Sequence, residues 1–299
     1  MDRRRFLSVT PAVLGTTRLR AAAPAPVLRR RIPQLAEPVP VIGMGTWLTF
    51  DAGDDAGEAA QRREVLQRFF AAGGGLIDSS PMYGRAERLL GELLTSLPHD
   101  GRLVTATKVW TPLDVLGPVQ FDDSLKLWRV PRFDVLLVHN LLNWRGHLKR
   151  LRQWKEQGRV RAIGVSTSHG HKHDEAERVL RDEPLDVLQI TYNLADTRAE
   201  RLMNLAAERG LAVVINRPFD GGDLFGRVAG RSLPPWAGDI DCANWAQFFL
   251  KWVVSHPAVT CAIPATRQPP HMDQNMGAGQ GGLPDAAMRR RMQGHLERG

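Results

Sequence analysis

Cysteine is nearly absent from this 299-residue chain, no apolar run is long enough to cross a membrane, and one end has almost no acids. The two cysteines, Cys242 and Cys261, define neither a disulfide framework nor a thiolate metal set, and both read as free thiols. A spanning helix needs about 20 consecutive apolar residues. The N-terminal run from Leu7 to Leu14 stops far short of that, and no other stretch reaches it. The net charge of +8 suggests an anionic partner until its location is considered. Eight arginines and a single acid, Asp2, fall within residues 1–31, which leaves the remainder close to neutral. A nucleic-acid binder shows a basic face on its folded domain; this chain shows a basic N-terminus, so no nucleic-acid partner is expected.

That N-terminus has the order of an export signal. Arg3-Arg4-Arg5-Phe6-Leu7 carries a twin-arginine pattern, the short apolar run follows, and Ala21-Ala22-Ala23-Pro24-Ala25 offers small residues for cleavage. The reading is a leader over residues 1–28 that engages the twin-arginine export machinery, with a periplasmic domain over 29–299. Arg18 and Arg20 interrupt the region before the cleavage site. A basic tail on a cytoplasmic protein is the alternative.

From residue 39 onward, short apolar runs alternate with helical patterns. Expected strands are Val39–Gly43, Leu76–Asp78, Leu103–Lys108, Val135–His139, Arg161–Ser166, Asp186–Tyr192, Leu211–Asn216 and Val259–Ile263. The expected helices include Glu58–Ala72, ended by Gly73-Gly74-Gly75, Ala86–Leu97, stopped by Pro98, and a short one near Ser124–Trp128. Short, continuously apolar strands suit a parallel sheet covered on both faces. Repeated βα units over this length predict a single-domain α/β (β/α)8 TIM barrel. A doubly wound sheet would carry a Gly-rich dinucleotide turn, but Gly43-x-Gly45 lacks the third glycine and no helix follows at once.

Four polar residues sit at or just past strand ends: Asp78, Tyr83, Lys108 and His139. In a parallel barrel those ends share one face, where catalytic groups gather. A phenol has a pKa of about 10, so proton exchange near neutrality needs help. A lysine ammonium beside Tyr83 would lower that value, and Asp78 would hold Lys108 charged and oriented. His139 would hydrogen-bond a carbonyl oxygen. The quartet therefore points to protonation of a carbonyl.

These motifs resemble the aldo-keto reductase family. Gly43-Met44-Gly45-Thr46-Trp47 is similar to its opening strand and turn, and Asp78-Ser79-Ser80-Pro81-Met82-Tyr83-Gly84 to its Asp-to-Tyr motif. Thr107-Lys108, Val138-His139, Gly164-Val165-Ser166, Gln189 with Tyr192-Asn193, and Ile263-Pro264-Ala265-Thr266 follow in family order. The resemblance implies a barrel that binds NADP, with NAD possible, and reduces a small aldehyde or ketone. Tyr83 would be the general acid, with Asp78, Lys108 and His139 as its catalytic partners. It also implies cofactor contacts from Gly45 and Thr46, from Ser166 and Gln189 at the nicotinamide carboxamide, and from Thr266, Arg267, Gln274 and Asn275 at the adenosine end. Thr266 and Arg267 would stand nearest a 2′-phosphate, which suits a guanidinium.

The chain departs from the family at several points. Asn216-Arg217-Pro218 stands where a stacking Tyr precedes Ser-Pro, so Asn216 or Arg217 must serve the cofactor differently. Thr167 replaces a common Asn, and Ala265 and His271 stand where basic residues are frequent. An exported cofactor-sensing barrel with little catalysis is the alternative these changes raise. His169, His171 and His173 alternate after the fifth strand and would allow a metal-dependent hydrolase. No carboxylate or cysteine pattern accompanies them, so no metal is expected and a place at the substrate mouth is the preferred reading. Trp47, Trp110, Trp144 and Trp236 fall in or near βα loops and are candidate pocket walls.

Overall fold

The computed structural model describes residues 26–53 and 55–298. The twin-arginine motif and the small-residue cleavage region lie outside the described residues. A two-stranded antiparallel hairpin comes first, with β1 at Arg29–Arg30 and β2 at Val39–Pro40. Eight parallel strands then follow in sequence order around a barrel. They are β3 (Met44–Gly45), β4 (Leu76–Asp78), β5 (Val104–Val109), β6 (Phe133–His139), β7 (Val160–Ser166), β8 (Val187–Thr191), β9 (Ala212–Asn216) and β10 (Cys261–Ala262). Bridges from Ile42 to Ala262 and from Gly45 to Ala265 join the last strand to the first. The fold is a (β/α)8 barrel.

Helices separate the strands: α1 (Ala56–Ala71), α2 (Ala86–Leu94), α3 (Leu116–Trp128), α4 (Trp144–Glu156), α5 (His173–Asp182), α6 (Glu200–Glu208), α7 (Asp223–Arg227) and α8 (Trp245–Val254). Two more, α9 (Pro269–Gly277) and α10 (Ala286–Glu297), complete the chain. α1 shows why these segments are helical. Asp55 caps it by accepting from the Glu58 N–H at 2.8 Å, and Val65, Leu66, Phe69 and Phe70 form one buried stripe. Each such side chain stabilises the packing by about 1.5–3 kcal/mol.

Two findings differ from the sequence expectation. Residues 39–40 belong to the hairpin, and the first barrel strand is the later Met44–Gly45. Ile32, Leu35 and Val39 of the hairpin region join the inward side chains of the barrel in one apolar cluster, so the hairpin plugs the barrel's N-terminal end. α3 begins eight residues before the expected Ser124, at Leu116. Its first turn contains Gly117 and Pro118, which obscure a helical pattern, although proline is tolerated there because the first N–H groups have no intrahelical partner.

Strand parity places the site. Side chains alternate across a strand, so every second residue points into the barrel. Leu76, Ala106, Leu137, Val187 and Val214 belong to the interior cluster, whereas Ile77, Leu136, Val138, Leu188 and Ile215 pack outward against the helices. Two residues beyond these inward positions stand Asp78, Lys108, His139, Gln189 and Asn216, all at the C-terminal mouth. Ser166 holds the same position on β7, two residues after Gly164. A Cβ on Gly164 would lie 1.9 Å from the Val187 carbonyl oxygen, so only glycine fits there.

Candidate active site

The mouth opens into a cavity of about 680 Å³. Asp78, Tyr83 and His139 line it, and Lys108 lies fully buried beneath. Lys108 Nζ donates to Asp78 Oδ2 at 2.6 Å and to the Ser79 carbonyl at 2.7 Å. The other Asp78 oxygen accepts from Gln189 Nε2 at 2.8 Å. Both carboxylate oxygens are thus satisfied in a site that excludes water. Burial works to discharge Lys108, but the adjoining Asp78 carboxylate overcomes it and holds the amine above its ordinary pKa.

Tyr83 reaches the cavity from a tight turn. Its N–H donates to the Ser80 carbonyl at 3.0 Å, and its own carbonyl receives the first N–H of α2, from Ala86, at 3.1 Å. Gly84 completes the turn at φ +57, and a Cβ there would meet the Asp51 carboxylate at 2.3 Å. Lys108 Nζ lies 5.1 Å from the Tyr83 ring centroid. Burial pushes the phenol above its ordinary pKa; Lys108 pulls it down and Asp78 pushes it up again. Lys108 thus lowers the phenol as expected, but the net shift is upward, because burying a phenolate costs more than the ammonium returns. Tyr83 therefore carries its proton at neutral pH.

His139 is 5% exposed, and its Nδ1 lies 2.7 Å from Ser166 Oγ. Burial, reinforced by the positive charge of Lys108 and by His169, lowers its pKa to about 3. In the tautomer in which the Ser166 hydroxyl donates to Nδ1, the neutral imidazole has Nε2–H as its donor. Protonated phenol, neutral imidazole donor and fixed ammonium together suit delivery of a proton to a carbonyl oxygen.

A model of the aldo/keto reductase family matches residues 41–293. The chain belongs to the aldo/keto reductase family. It is 25% identical over 261 residues to the 9,11-endoperoxide prostaglandin H2 reductase of Trypanosoma cruzi, covering 84% of this chain and 86% of that protein. The pyridoxal 4-dehydrogenase of Microbacterium luteolum is 24% identical, with 74% and 84% covered. Among solved structures, an aldo/keto reductase from Klebsiella pneumoniae in complex with NADP and acetate superposes with a TM-score of 0.74 at 22% identity, covering 87% of this chain and 92% of that one.

The remaining aldo/keto reductase positions fall into three groups. Gly45, Thr46, Gln189, Asn216 and Arg217 line the cavity. Asn216 is tied on both sides: Oδ1 accepts from Thr191 Oγ1 at 2.6 Å and Nδ2 donates to the Thr167 carbonyl at 2.8 Å. It knits three strand ends together instead of offering a flat platform. Ser166, expected at the carboxamide, is fully buried, does not line the cavity and is bonded to His139. Thr266, Arg267, Gln274 and Asn275 stand beyond β10 and on α9, outside this cavity. Arg267 is exposed and near enough to Arg62 for its charge to help depress that residue's pKa, after burial.

Several groups in and behind the cavity were not among the expected site residues. Thr167 lines the cavity, and its hydroxyl is buried without a partner. Asn140, in the loop after β6, accepts from Ser168 Oγ at 3.1 Å. Behind Lys108, the buried Glu87 accepts from Thr107, Ser124 and Trp128 side chains, and its acid form is favoured by burial. His169 and His171 line the cavity while His173 does not, and no cluster of metal-ligating residues occurs among the described residues. Of the tryptophans, Trp47 lines the cavity. Trp144 is buried and bonded to Glu175, and Trp236 packs on Phe248 and His295. Tyr192 is fully buried, stacks on Trp252 and bonds to Glu200, away from the mouth.

Proposed function

We propose that this protein is an NADP(H)-dependent carbonyl reductase in which Tyr83 protonates the oxygen of an aldehyde or ketone. The observation that carries the reading is the buried Lys108–Asp78 pair set beneath a protonated phenol and a neutral imidazole at the barrel mouth. His139 Nε2–H directs the carbonyl oxygen toward the phenol. As Tyr83 gives up its proton, the ammonium of Lys108 stabilises the phenolate that forms. Asp78 keeps Lys108 charged, and Gln189 keeps Asp78 in place.

The residues present fit the cofactor at both ends. The unpaired Thr167 hydroxyl stands at the cavity, where the carboxamide is expected. On α9, the buried Asn275 amide has an Nδ2 without a partner, where the adenosine end is expected. Each polar atom would gain a hydrogen bond from such a ligand. Arg267 is exposed beyond β10, and its guanidinium suits the 2′-phosphate, which favours NADP over NAD. When bound, the reduced nicotinamide supplies the hydride. The Klebsiella relative is described with NADP.

Loss of NADPH absorbance on addition of an aromatic aldehyde tests the reading. Many turnovers per enzyme are expected. Tight NADPH binding with no turnover across a panel of aldehydes and ketones would contradict it and favour a sensing role. For the N-terminal segment, the proposal remains twin-arginine export to the periplasm. Mass spectrometry of the protein recovered from the periplasm tests it, with loss of the leader expected and an intact Met1 in the cytoplasm the opposing result.

A further inference from the structure

The proton donor and the ammonium that serves it come from different parts of the chain, and one buried carboxyl group ties those parts together. α2 starts directly on the Tyr83 turn, where the Ala86 N–H reaches the Tyr83 carbonyl at 3.1 Å, and Glu87 lies in its first turn. Strand alternation sends Lys108 into the barrel and its neighbour Thr107 outward, toward the helices. There the buried Thr107 hydroxyl donates to Glu87 Oε1. Trp128 Nε1 of α3 donates to the same oxygen at 3.0 Å, and Ser124 Oγ donates to Oε2 at 2.8 Å. Glu87 therefore joins α2, β5 and α3 at one buried point.

The connections form a closed circuit. Tyr83 leads through the first turn of α2 to Glu87, Glu87 leads through its bond to Thr107, and Thr107 leads along the strand to Lys108. Lys108 Nζ then lies 5.1 Å from the Tyr83 ring centroid, which closes the loop. Beyond Lys108 the strand is held again: the side-chain amide of Gln120 on α3 bonds both the N–H and the carbonyl of Trp110 at 2.9 Å. Glu87 is itself nearly inaccessible, and burial favours its acid form. A buried polar network with every partner in place rigidifies what it joins, because each bond fixes a direction as well as a distance.

We infer that Glu87 is a positioning residue for proton transfer: through Thr107 it fixes the distance between the Tyr83 phenol and the Lys108 ammonium. It does not line the cavity, and it acts by its hydrogen bonds, not by its charge. The inference rests on the carbonyl reductase reading.

The test measures single-turnover oxidation of bound NADPH by an aromatic aldehyde, which separates chemistry from product release. Three variants of the full-length protein are compared: Glu87→Leu, Glu87→Gln and Thr107→Val. Leucine removes all three bonds. Glutamine keeps them, since its carbonyl accepts from Thr107 and Trp128 and its amide donates to Ser124. Valine at 107 removes only the link to β5 and leaves Ser124 and Trp128 on Glu87, so it decides the matter even where Glu87→Leu fails to fold. A displacement of about 1 Å at a reacting centre costs on the order of 10²-fold in rate. Thr107→Val and Glu87→Leu are therefore expected to slow the single turnover by about 10- to 100-fold, with aldehyde KM and NADPH affinity by fluorescence titration close to wild type. Glu87→Gln should restore most of the rate lost in Glu87→Leu. A wild-type rate in Thr107→Val would overturn the inference. So would parallel losses of rate, KM and NADPH affinity, which mark a general loosening of the fold. A Glu87→Gln variant as slow as Thr107→Val would overturn it too, because the charge would then be decisive. Absence of turnover in the wild type would overturn the reductase reading itself, and this inference with it.

Discussion

Replacing Lys108 by methionine probes the buried pair most sharply, because the two side chains have similar length and only the charge is lost. Lys108 is fully buried, and its ammonium bridges Asp78 and the Ser79 carbonyl at 2.6 and 2.7 Å. Without it, the Asp78 carboxylate stays buried at 2% exposure with Gln189 as its remaining side-chain partner. Removing one member of a buried ion pair costs about 3–5 kcal/mol, a large share of a typical stability of about 5–15 kcal/mol. The double variant Asp78→Asn/Lys108→Met removes the stranded charge and keeps the shape, so it should recover about 2 kcal/mol relative to Lys108→Met alone. Urea unfolding followed by far-ultraviolet circular dichroism measures both variants against the wild type. Turnover should not follow stability: both variants lacking Lys108 lose the cation that stabilises the Tyr83 phenolate, at a cost of about 10²–10⁴ in kcat. A double variant no more stable than Lys108→Met would refute the reasoning, because the destabilisation would then not come from an uncompensated carboxylate.

Two further outcomes follow from the same site. His139 has a folded pKa of about 3 against an ordinary value of 6.5, so the unfolded chain takes up its proton first as pH falls. Stability from this residue is complete above about pH 6.5 and is lost progressively toward pH 3, amounting to about 3 kcal/mol by pH 4.5; His139→Asn should flatten that part of the stability profile, and an unchanged slope would contradict the neutral assignment. Thr167→Val removes a buried, unpaired hydroxyl, so the cofactor-free protein should gain a little stability while NADPH binds about three- to tenfold more weakly; unchanged affinity by titration would remove Thr167 from the cofactor site.

The sequence made the barrel and the positions of Asp78, Lys108 and His139 legible through one physical rule. A strand with both faces buried still alternates, and its last inward residue is the first that need not be apolar. The plug hairpin was not legible, since strands of two residues carry no period. α3 was shortened in the sequence reading because Gly117 and Pro118 look like breakers, although a first turn tolerates them. Glu87 gave no signal: an acid early in a helical pattern reads as solvated until Thr107, Ser124 and Trp128 are seen around it. The sign of the Tyr83 shift also needed coordinates, because it depends on how deeply the phenol is buried as well as on which charges adjoin it. Ser166 was expected to meet a ligand; its inward direction is as the pattern implies, and its bond to His139 carried no sequence signal.

The central claim is that Tyr83 donates the proton, and Tyr83→Phe tests it with two readings on one variant. The phenylalanine keeps the ring above Lys108 and removes only the hydroxyl. The account predicts NADPH binding close to wild type by fluorescence titration, with kcat for aldehyde reduction lower by about 10²–10⁴. Wild-type turnover in Tyr83→Phe, with NADPH binding intact, would contradict it.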